Sequence, residues 1–379
     1  NIVAYNHIHD TMTPFSEGFG IYLDDAADVF TVKNNIVDNM WREGFGGKTM
    51  ASIFAKGIKH TIDNNFVVES PKNMYACMTE SMVGEPCYEQ SWYRNIVSNS
   101  GPYTYFNKAF TNSRFKAADY NFYYNPTGEY KIAMNGFSGK AASDVYAWQR
   151  WFADGKYDQF AEINQDPLFY DAAARDYRLT YNSDTYKLGI TDIDEGRIGL
   201  TKDYPYAKDE ELKKLYLDTS DSRIYGSTIN LGTDEEIALK PYARTKIAGY
   251  IVDAAGAEYK TDNAAVATVD DKGTLKAVSK GITKLTVSFG GLELSCDVIV
   301  GDSWSEGVIY SEPTESIEKG KTIPSNVYVK TEMGQTVKNF LSIKYESSDE
   351  SIATVDEAGN ITGVSAGKCD IKAEKMTSI

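Results

Sequence analysis

A short segment near the start of the chain places acidic side chains beside an aromatic ring. In GFGIYLDD, residues 18–25, alternation directs Ile21 and Leu23 to one face and Tyr22 and Asp24 to the other. The face of a tyrosine ring can stack on a sugar, and an adjacent carboxylate supplies proton transfer or a nucleophile. The alternative interpretation is a turn in which the acidic residues cap backbone amides.

Other residues with suitable chemistry lie close to this segment in the sequence. Two histidines flank Ile8 and are expected to share an outward face, where they either line a groove or are ordinary exposed residues. A Gly-rich loop after the segment adds an acid, an arginine and a tryptophan that could stack on sugar. The predicted catalytic residues are Asp24, Asp25 and Glu43, and the predicted substrate-binding residues are Tyr22, His7, His9, Trp41 and Arg42.

The sequence lacks the motifs of several other classes of enzyme and of common metal sites. There is no GxSxG motif, phosphate-binding loop, metal-type histidine pair or CxxC spacing, so we expect neither a metal nor a cofactor. Cys77 and Cys87 either close a loop through a disulfide or remain free buried thiols, whereas Cys296 and Cys369 are expected to be single core residues.

Composition restricts the classes of partner. The net charge of −15 would repel nucleic acids and other polyanions. No run approaches the roughly 18 apolar residues of a membrane span. Twenty-seven tyrosines and only 10 prolines favour many short strands and carbohydrate-like partners. Because Asn1 falls inside a repeat and the last module stops early, we expect the chain to be part of a longer precursor.

The first half contains an internal repeat. Asparagines that precede short apolar strands recur at spacings of 29, 30, 30 and 26 residues, at Asn6, Asn35, Asn65, Asn95 and Asn121. A period near thirty with period-two strands predicts a parallel β-helix rather than a helical solenoid. The inward asparagines should then form a hydrogen-bonded ladder. A segment after residue 126 fits the cap that such a solenoid needs, which places this domain at residues 1–205.

The second half contains two copies of another pattern. AAVATVDDKGTLKAVSKGITKLTV at 264–287 aligns with ESIATVDEAGNITGVSAGKCDIKA at 350–373. Both read as short strands separated by Asp/Gly turns, which predicts two small antiparallel sandwiches. Both resemble the bacterial immunoglobulin-like group 2 domain, and the resemblance implies spacers at 206–302 and 303–379 in a secreted or surface-attached protein.

The first half resembles a second family. GIYLDDAADVFTVKNNIV and the segment AWQRWFADGKYDQFAEINQDPLFY are similar to right-handed parallel β-helix glycoside hydrolases, the group that contains glycoside hydrolase family 141. The resemblance implies that Asp24 is a catalytic carboxylate whose partner lies one coil earlier, before Asn1. This sequence departs from that group at MASIFAKGIKHTIDNN, because the histidines usual there are absent and His60 sits later.

The sequence therefore predicts an all-β protein with a right-handed parallel β-helix and two C-terminal immunoglobulin-like sandwiches. We expect an extracellular or cell-surface bacterial location, with possible attachment to the cell wall and no transmembrane segment in this chain. The favoured activity is glycoside hydrolysis of a plant or host polysaccharide. Two alternatives remain open: a polysaccharide lyase, and a non-catalytic surface adhesin or structural stalk.

Overall fold

The computed structural model describes most of the chain, and the chain divides into two compact units. The described residues are 1–10, 17–25, 27–40, 48–71, 75–79, 87–101, 103–107, 115–127, 131–134, 148–149, 157–199, 211–221, 223–246, 251–301, 308–311, 316–325, 327–330, 336–337, 343–356 and 359–375. The first unit comprises Asn1–Pro167 with Leu188–Glu195, and the second comprises Leu168–Lys187 with Gly196–Ile379.

The first unit is built from short strands. In chain order they are β1 (Ile2–Ala4), β2 (His7–His9), β3 (Glu17–Leu23), β4 (Thr31–Lys33), β5 (Ile36–Asp38), β6 (Lys48–Ala55), β7 (Thr61–Asp63), β8 (Phe66–Ser70), β9 (Tyr75–Thr79), β10 (Gln90–Tyr93), β11 (Ile96–Ser100), β12 (Tyr103–Asn107), β13 (Phe115–Asp119), β14 (Phe122–Tyr124), β15 (Lys131–Met134) and β16 (Glu162–Ile163).

These strands form three parallel sheets. Their orders are β1-β4-β7-β10-β13, β2-β5-β8-β11-β14-β16 and β3-β6-β9-β12-β15. The chain thus visits the three sheets in turn and returns to the first after one repeat. Strand pairing follows the repeat in the sequence, since Ile36 in β5 pairs with Phe66 in β8, and Phe66 with Ile96 in β11.

The predicted asparagine ladder is confirmed. Each side-chain Nδ2 donates to Oδ1 of the ladder asparagine in the next repeat, and the N···O distances are 2.9–3.0 Å for the series Asn6, Asn35, Asn65, Asn95 and Asn121. Backbone N–H groups at these positions donate to the same oxygens. The ladder therefore satisfies polar groups inside the unit, where an unpaired group would cost about 1–3 kcal/mol.

The ladder ends on a buried carboxylate. Asn121 Nδ2 donates to Asp158 Oδ1 at 2.8 Å, while Tyr123 Oη and Trp148 Nε1 donate to Asp158 Oδ2 at 2.8 Å each. Burial raises the pKa of Asp158, and the three donors act in the opposite direction. Asp158 thus terminates the row of amide donors that begins at Asn6.

The corners between the sheets use left-handed backbone at non-glycine residues, with φ between 43° and 58°. The three corner series are Tyr5, Asn34, Asn64, Arg94 and Tyr120; Asp10, Asn39, Glu69 and Asn99; and Val29, Lys59 and Glu89. Such φ values are uncommon outside glycine, and here main-chain hydrogen bonds between repeats hold them. For example, Asp10 N–H donates to Asn39 O, and Asn39 N–H to Glu69 O.

The core of the first unit is apolar and contains free thiols. Fully buried side chains from successive repeats meet there, among them Val32, Ile62, Val67, Trp92 and Val97. Cys77 and Cys87 are both free and buried, so the disulfide alternative is wrong. Burial raises the pKa of the Cys77 thiol, as expected for a cysteine that acts as a small core residue.

The second unit is also made of strands. They are β17 (Phe169–Asp171), β18 (Asp176–Leu179), β19 (Leu212–Leu217), β20 (Ile224–Tyr225), β21 (Thr228–Gly232), β22 (Glu236–Ala238), β23 (Pro241–Thr245), β24 (Ile251–Asp253), β25 (Glu258–Thr261), β26 (Ala267–Val269), β27 (Thr274–Ala277), β28 (Gly281–Phe289), β29 (Leu292–Gly301), β30 (Val308–Ser311), β31 (Thr322–Pro324), β32 (Val327–Lys330), β33 (Thr336–Val337), β34 (Ile343–Ser347), β35 (Ala353–Val355), β36 (Asn360–Gly363) and β37 (Ile371–Lys375). Three short 3-10 helices span Ala172–Ala174, Asp184–Leu188 and Glu195–Arg197.

The two sequence copies in this unit have the same local structure. β26 and β27 pair as β35 and β36 do, with Val269 opposite Leu275 and Val355 opposite Ile361. Most pairs of strands in this unit are antiparallel, and β21 with β29 is a parallel exception. The fold class predicted from the sequence, all-β, is confirmed for the described residues.

The repeated turn explains why glycine recurs at one position. Gly273 and Gly359 have φ of +80° and +79°, which favours glycine. A Cβ at either position would lie 2.7 Å from Cζ of a tyrosine ring, Tyr259 or Tyr345. Each turn also has an aspartate, Asp270 or Asp356, whose Oδ1 accepts a backbone N–H four residues later.

Candidate functional site

Strand β3 presents Tyr22 and Asp24 as its alternation predicts. Ile21 and Leu23 are buried in the core, whereas Tyr22 is 41% exposed. β3 pairs in parallel with β6, which places Tyr22 opposite Phe54. Lys56 follows β6 just as Asp24 follows β3, so the parallel register brings a lysine beside the predicted catalytic acid.

Three aromatic rings cluster on this face. Tyr22 stacks on Phe19 with ring centroids 4.6 Å apart and on Phe54 at 5.1 Å. Lys56 Nζ lies 5.2 Å from the centroid of the Tyr22 ring and 5.3 Å from that of Phe54. Phe54 is buried beneath the cluster, so Tyr22 is its most exposed ring. We call Phe19, Tyr22, Asp24, Phe54 and Lys56 the Tyr22 surface.

The Asp24 carboxylate has three donors on one oxygen. Tyr22 Oη donates to Asp24 Oδ1 at 2.6 Å, Asp25 N–H at 2.8 Å and Lys56 Nζ at 2.9 Å. The same ammonium lies 3.3 Å from Asp25 Oδ1. Lys56 therefore bridges two of the predicted catalytic carboxylates, and its own side chain is only 5% exposed.

These contacts set the protonation states. The hydrogen bond from Tyr22, then that from Lys56 and then the Asp25 N–H lower the pKa of Asp24 to about 2. Burial, followed by the hydrogen bond to Asp24, raises the pKa of Tyr22. Near neutral pH, Asp24 is thus an ionised carboxylate with no proton to donate, and Tyr22 is a neutral phenol rather than a base.

His7 is largely covered and lies between two carboxylates, and its predicted role in lining a groove stays a prediction. Its Nε2 lies 3.0 Å from Asp38 Oδ1 and its Nδ1 2.6 Å from Glu195 Oε1, and the side chain is 7% exposed. The segment that contains Glu195 packs against this corner, where Asn64 also exchanges hydrogen bonds with Thr191. Burial lowers the pKa of His7, but both carboxylates oppose it and the net shift is upward. These contacts place His7 in an ion-pair cluster with Asp38 and Glu195.

Of the other predicted site residues, the structure describes His9 alone. The His9 ring remains partly exposed, lies 5.0 Å from the His7 ring and contacts Asp10. Trp41, Arg42 and Glu43 lie outside the described residues.

Phe19, Phe54 and Lys56 were not predicted from the sequence. The available signal was the alignment of GIYLDD with SIFAKG, in which Tyr22 and Lys56 would have appeared on adjacent strands. His60, noted in the sequence as misplaced, accepts the Phe30 N–H at Nδ1, and its other ring nitrogen contacts Lys56 O inside the first unit.

Neither a metal site nor a membrane span is found in the part of the chain that the structure describes. No group of three or more His, Cys, Asp or Glu side chains is suited to hold a metal ion there. No helix in the described ranges is long and apolar enough to cross a membrane.

Comparison with known proteins identifies one region. Residues 306–377 match the family model of the bacterial Ig-like domain (group 2), which confirms the resemblance seen in the second sequence copy. No curated protein matches the chain.

Solved structures with matching segments include surface layer and cadherin proteins. For domains 4–9 of the surface layer protein SbsC the TM-score is 0.21 at 16% identity, over 41% of this chain and 28% of that one. For its domains 4 and 5 the values are 0.20 and 17%, over 45% and 95%. For human protocadherin-24 EC1-2 they are 0.15 and 14%, over 37% and 74%. The chain spans 28% and 27% of the length of the first two SbsC structures compared.

Proposed function

We propose that this is a non-catalytic extracellular surface protein of a bacterium that binds a neutral glycan at the Tyr22 surface. One observation argues against Asp24 as the general acid of a hydrolase. The Asp24 carboxylate is tied to Tyr22, Lys56 and a backbone N–H, which keep it ionised. A glycosidase needs a second, protonated acid beside such a carboxylate. The protein would then act as an adhesin or a structural element.

The extracellular location is inferred from the C-terminal modules. Residues 306–377 match a bacterial Ig-like domain, and the turn at Asp270 and Gly273 repeats the turn at Asp356 and Gly359. We infer that residues 206–302 form a first module of the same kind and residues 303–379 a second. In this proposal both act as spacers, because the repeated pattern contains no catalytic group.

We infer that residues 1–205 form a right-handed parallel β-helix with its cap. The order of the three sheets, in which each takes every third strand from β1 to β15, supports this architecture. Handedness follows from the strong preference of parallel crossovers for the right-handed form. A solenoid of this kind offers a long side face to an extended polymer.

The charges of the Tyr22 surface favour a neutral glycan over a uronate. Asp24 and Asp25 together carry two negative charges against the single ammonium of Lys56. The excess negative charge, on a chain of net charge −15, repels carboxylated sugars. Hydroxyl groups of a neutral sugar can instead donate to Asp24 while the ring stacks on Tyr22.

Glycoside hydrolysis remains the second candidate, with Asp24 as nucleophile. Its lowered pKa and its 64% exposed side chain suit attack on a sugar, and Asp25 shares the same ammonium. The lyase alternative is less well supported, because the raised pKa of Tyr22 disfavours the phenolate that would act as base.

The test compares two matched aromatic variants of the full chain. Binding of a soluble neutral β-glucan and of polygalacturonate is measured by titration calorimetry, while reducing ends are assayed over days. We expect the wild-type chain to bind the glucan. Tyr22→Ala should lower the affinity at least about tenfold, because it removes a stacked aromatic contact. Phe160→Ala, which removes a stacked ring 42% exposed elsewhere in the first unit, should leave binding unchanged.

Two results would count against the proposal. Equal loss of binding in both variants, or no binding at all, would remove the Tyr22 surface as a glycan site. Reducing ends that accumulate with wild type and vanish in Asp24→Asn would establish the hydrolase instead.

A further inference from the structure

His60 is fully buried, and its partners fix which ring nitrogen carries a proton. The Phe30 N–H donates to Nδ1 at 3.1 Å, and Nε2 lies 2.5 Å from Lys56 O. A carbonyl oxygen can only accept, so Nε2 carries the proton and Nδ1 keeps its lone pair. Burial lowers the pKa of His60, which agrees with this neutral form. The ring is thus a neutral link whose acceptor and donor are both in use.

This link joins two equivalent segments of adjacent repeats. Phe30 ends the segment that follows β3 and directly precedes β4. Lys56 begins the corresponding segment after β6, and His60 ends it, thirty residues after Phe30. Because β3 and β6 are neighbours in the third sheet, the ring spans from one repeat to the next where the chain turns back to the first sheet.

Gly57 lets these two segments approach each other closely. Its φ is +86°, and a Cβ there would lie 1.7 Å from Ala27 O and 3.1 Å from His60 Nε2, so no other residue fits. The Ile58 N–H donates to the same Ala27 O at 3.2 Å. The two segments are therefore in direct contact beside the His60 ring.

The same segments carry the exposed charges of the Tyr22 surface. The Lys56 N–H donates to Leu23 O at 2.9 Å, and the Ala27 N–H donates to Asp24 O at 3.0 Å. From this backbone, Lys56 Nζ reaches Asp24 Oδ1 at 2.9 Å. His60 therefore holds the backbone of Lys56 from the core, while the ammonium of the same lysine meets Asp24 at the surface.

We propose that His60 is a positioning residue for glycan binding, which keeps the Lys56–Asp24 pair of the Tyr22 surface in place by holding Lys56 O. It acts through the backbone and touches no ligand itself, because it is fully buried. The hydrogen bond to Lys56 carries this role, and the one from Phe30 orients the ring. The inference rests on the proposed function, since the surface that His60 positions is the proposed glycan site.

The test separates the two hydrogen bonds of His60 with a matched pair of full-chain variants. In His60→Gln the amide N–H takes the place of Nε2 and donates to Lys56 O, but the bond from Phe30 is lost. In His60→Asn the amide oxygen takes the place of Nδ1 and accepts from Phe30, but the shorter side chain does not reach Lys56. Each variant loses one buried bond, so urea unfolding should show similar losses of stability.

Two readouts report on the Tyr22 surface. Without ligand, NMR follows the Lys56 ε-methylene protons, whose chemical shifts the nearby rings of Tyr22 and Phe54 displace. With ligand, titration calorimetry measures the affinity for the neutral β-glucan. We expect both to stay near wild type in His60→Gln. In His60→Asn the shifts should move toward those of an unstructured lysine, and the affinity should fall at least about fivefold, because a binding site must be held to within about 0.5 Å.

Three results would overturn the inference. Equal changes in the two variants, or unchanged shifts and affinity in His60→Asn, would remove the role of His60 and leave the glycan site standing. Absence of glucan binding by the wild type would remove the glycan site and the inference with it. Binding by the wild type therefore distinguishes a failure of the proposed function from a failure of the role of His60.

Discussion

Lys56 Nζ lies 2.9 Å from Asp24 Oδ1, yet the lysine side chain is 5% exposed and the aspartate side chain 64% exposed. A largely covered ammonium thus lies beside an exposed carboxylate, and its Nζ is 5.2 Å from the centroid of the Tyr22 ring and 5.3 Å from that of Phe54. Burial alone would lower the pKa of Lys56, but hydrogen bonds to Tyr22 and Asp24 raise it. This arrangement keeps the Asp24 carboxylate ionised near neutral pH and open to a ligand from solvent.

Replacing either donor should raise the pKa of Asp24 from about 2 toward its ordinary value of 3.8. Tyr22→Phe should raise it more than Lys56→Met, because the tyrosine hydrogen bond is the larger cause. The pKa is read from the carboxyl carbon shift during an NMR titration. Since the folded pKa is depressed, the contribution of Asp24 to stability is present above pH 3.8 and is lost as the pH falls through about 2. A titration unchanged in both variants would contradict these assignments.

Removal of a buried ladder asparagine should lower the free energy of unfolding far more than removal of the partly buried Asn6. Asn65→Ala deletes the acceptor for two Asn35 donors and leaves Val32 O without its Nδ2 partner, all within the core. With each buried unpaired group worth about 1–3 kcal/mol, we expect a loss of about 3 kcal/mol or more in urea unfolding.

Asn6→Ala serves as the matched control, because Asn6 is a ladder residue that is only partly buried. The partly buried Asn6 can exchange its partners for water, so we expect a loss of about 1 kcal/mol. Equal losses of unfolding free energy at Asn65 and Asn6 would mean that the contribution of a ladder asparagine does not depend on its burial.

Residue spacing explains why the ladder could be predicted and the Tyr22 surface only in part. A ladder needs one residue type at one corner, so Asn35, Asn65 and Asn95 recur at 30-residue spacing and are visible in the sequence. The third sheet follows loops of unequal length: β3 begins 10 residues after the start of β2, and β6 begins 12 after the start of β5. Because of this difference, the pairing of Tyr22 with Phe54 does not follow the period of the asparagine repeat and is not visible in the sequence.

Two other features left no periodic signal. Glu195 reaches His7 from 188 residues away, because a later segment packs back on the first unit. The left-handed corner residues include Tyr5, Arg94 and Val29, types that no turn preference would select. Their conformation is imposed by main-chain bonding between repeats rather than by their side chains.

Stability should fall as the pH rises through the titration of Asp119. Burial and then the nearby charge of Asp158 raise the pKa of Asp119 to about 7. The folded state therefore binds a proton between pH 3.8 and about 7 that the unfolded state releases, and the free energy of unfolding decreases across this range. Urea unfolding at pH 5 and pH 8 measures the slope.

Asp119→Asn isolates that group. Asp119 Oδ1 alone accepts both the Tyr120 and the Phe160 N–H, at 2.8 and 2.9 Å, so an amide oxygen in the same place keeps both bonds. The variant should be more stable than wild type at pH 8 and should lose most of the slope. A slope that persists in the variant would assign the pH dependence to other groups.

The repeated glycine turns of the second unit should respond alike to substitution. Gly273→Ala and Gly359→Ala each add left-handed strain and a Cβ 2.7 Å from a tyrosine Cζ. We expect a loss of about 2–3 kcal/mol for each, measured by urea unfolding, with hydrogen exchange rising in the strands that flank the substituted turn.

Gly256→Ala separates strain from collision at these turns. Its φ is +86°, but its Cβ would meet no atom within 4 Å, so it should lose only about 1 kcal/mol. Truncating the ring in Gly273→Ala/Tyr259→Ala should recover part of the cost of the collision, and the double-mutant cycle measures that coupling. If Gly256→Ala lowers the free energy of unfolding as much as Gly273→Ala does, backbone strain alone explains the need for glycine. The contact with the tyrosine ring would then contribute nothing to it.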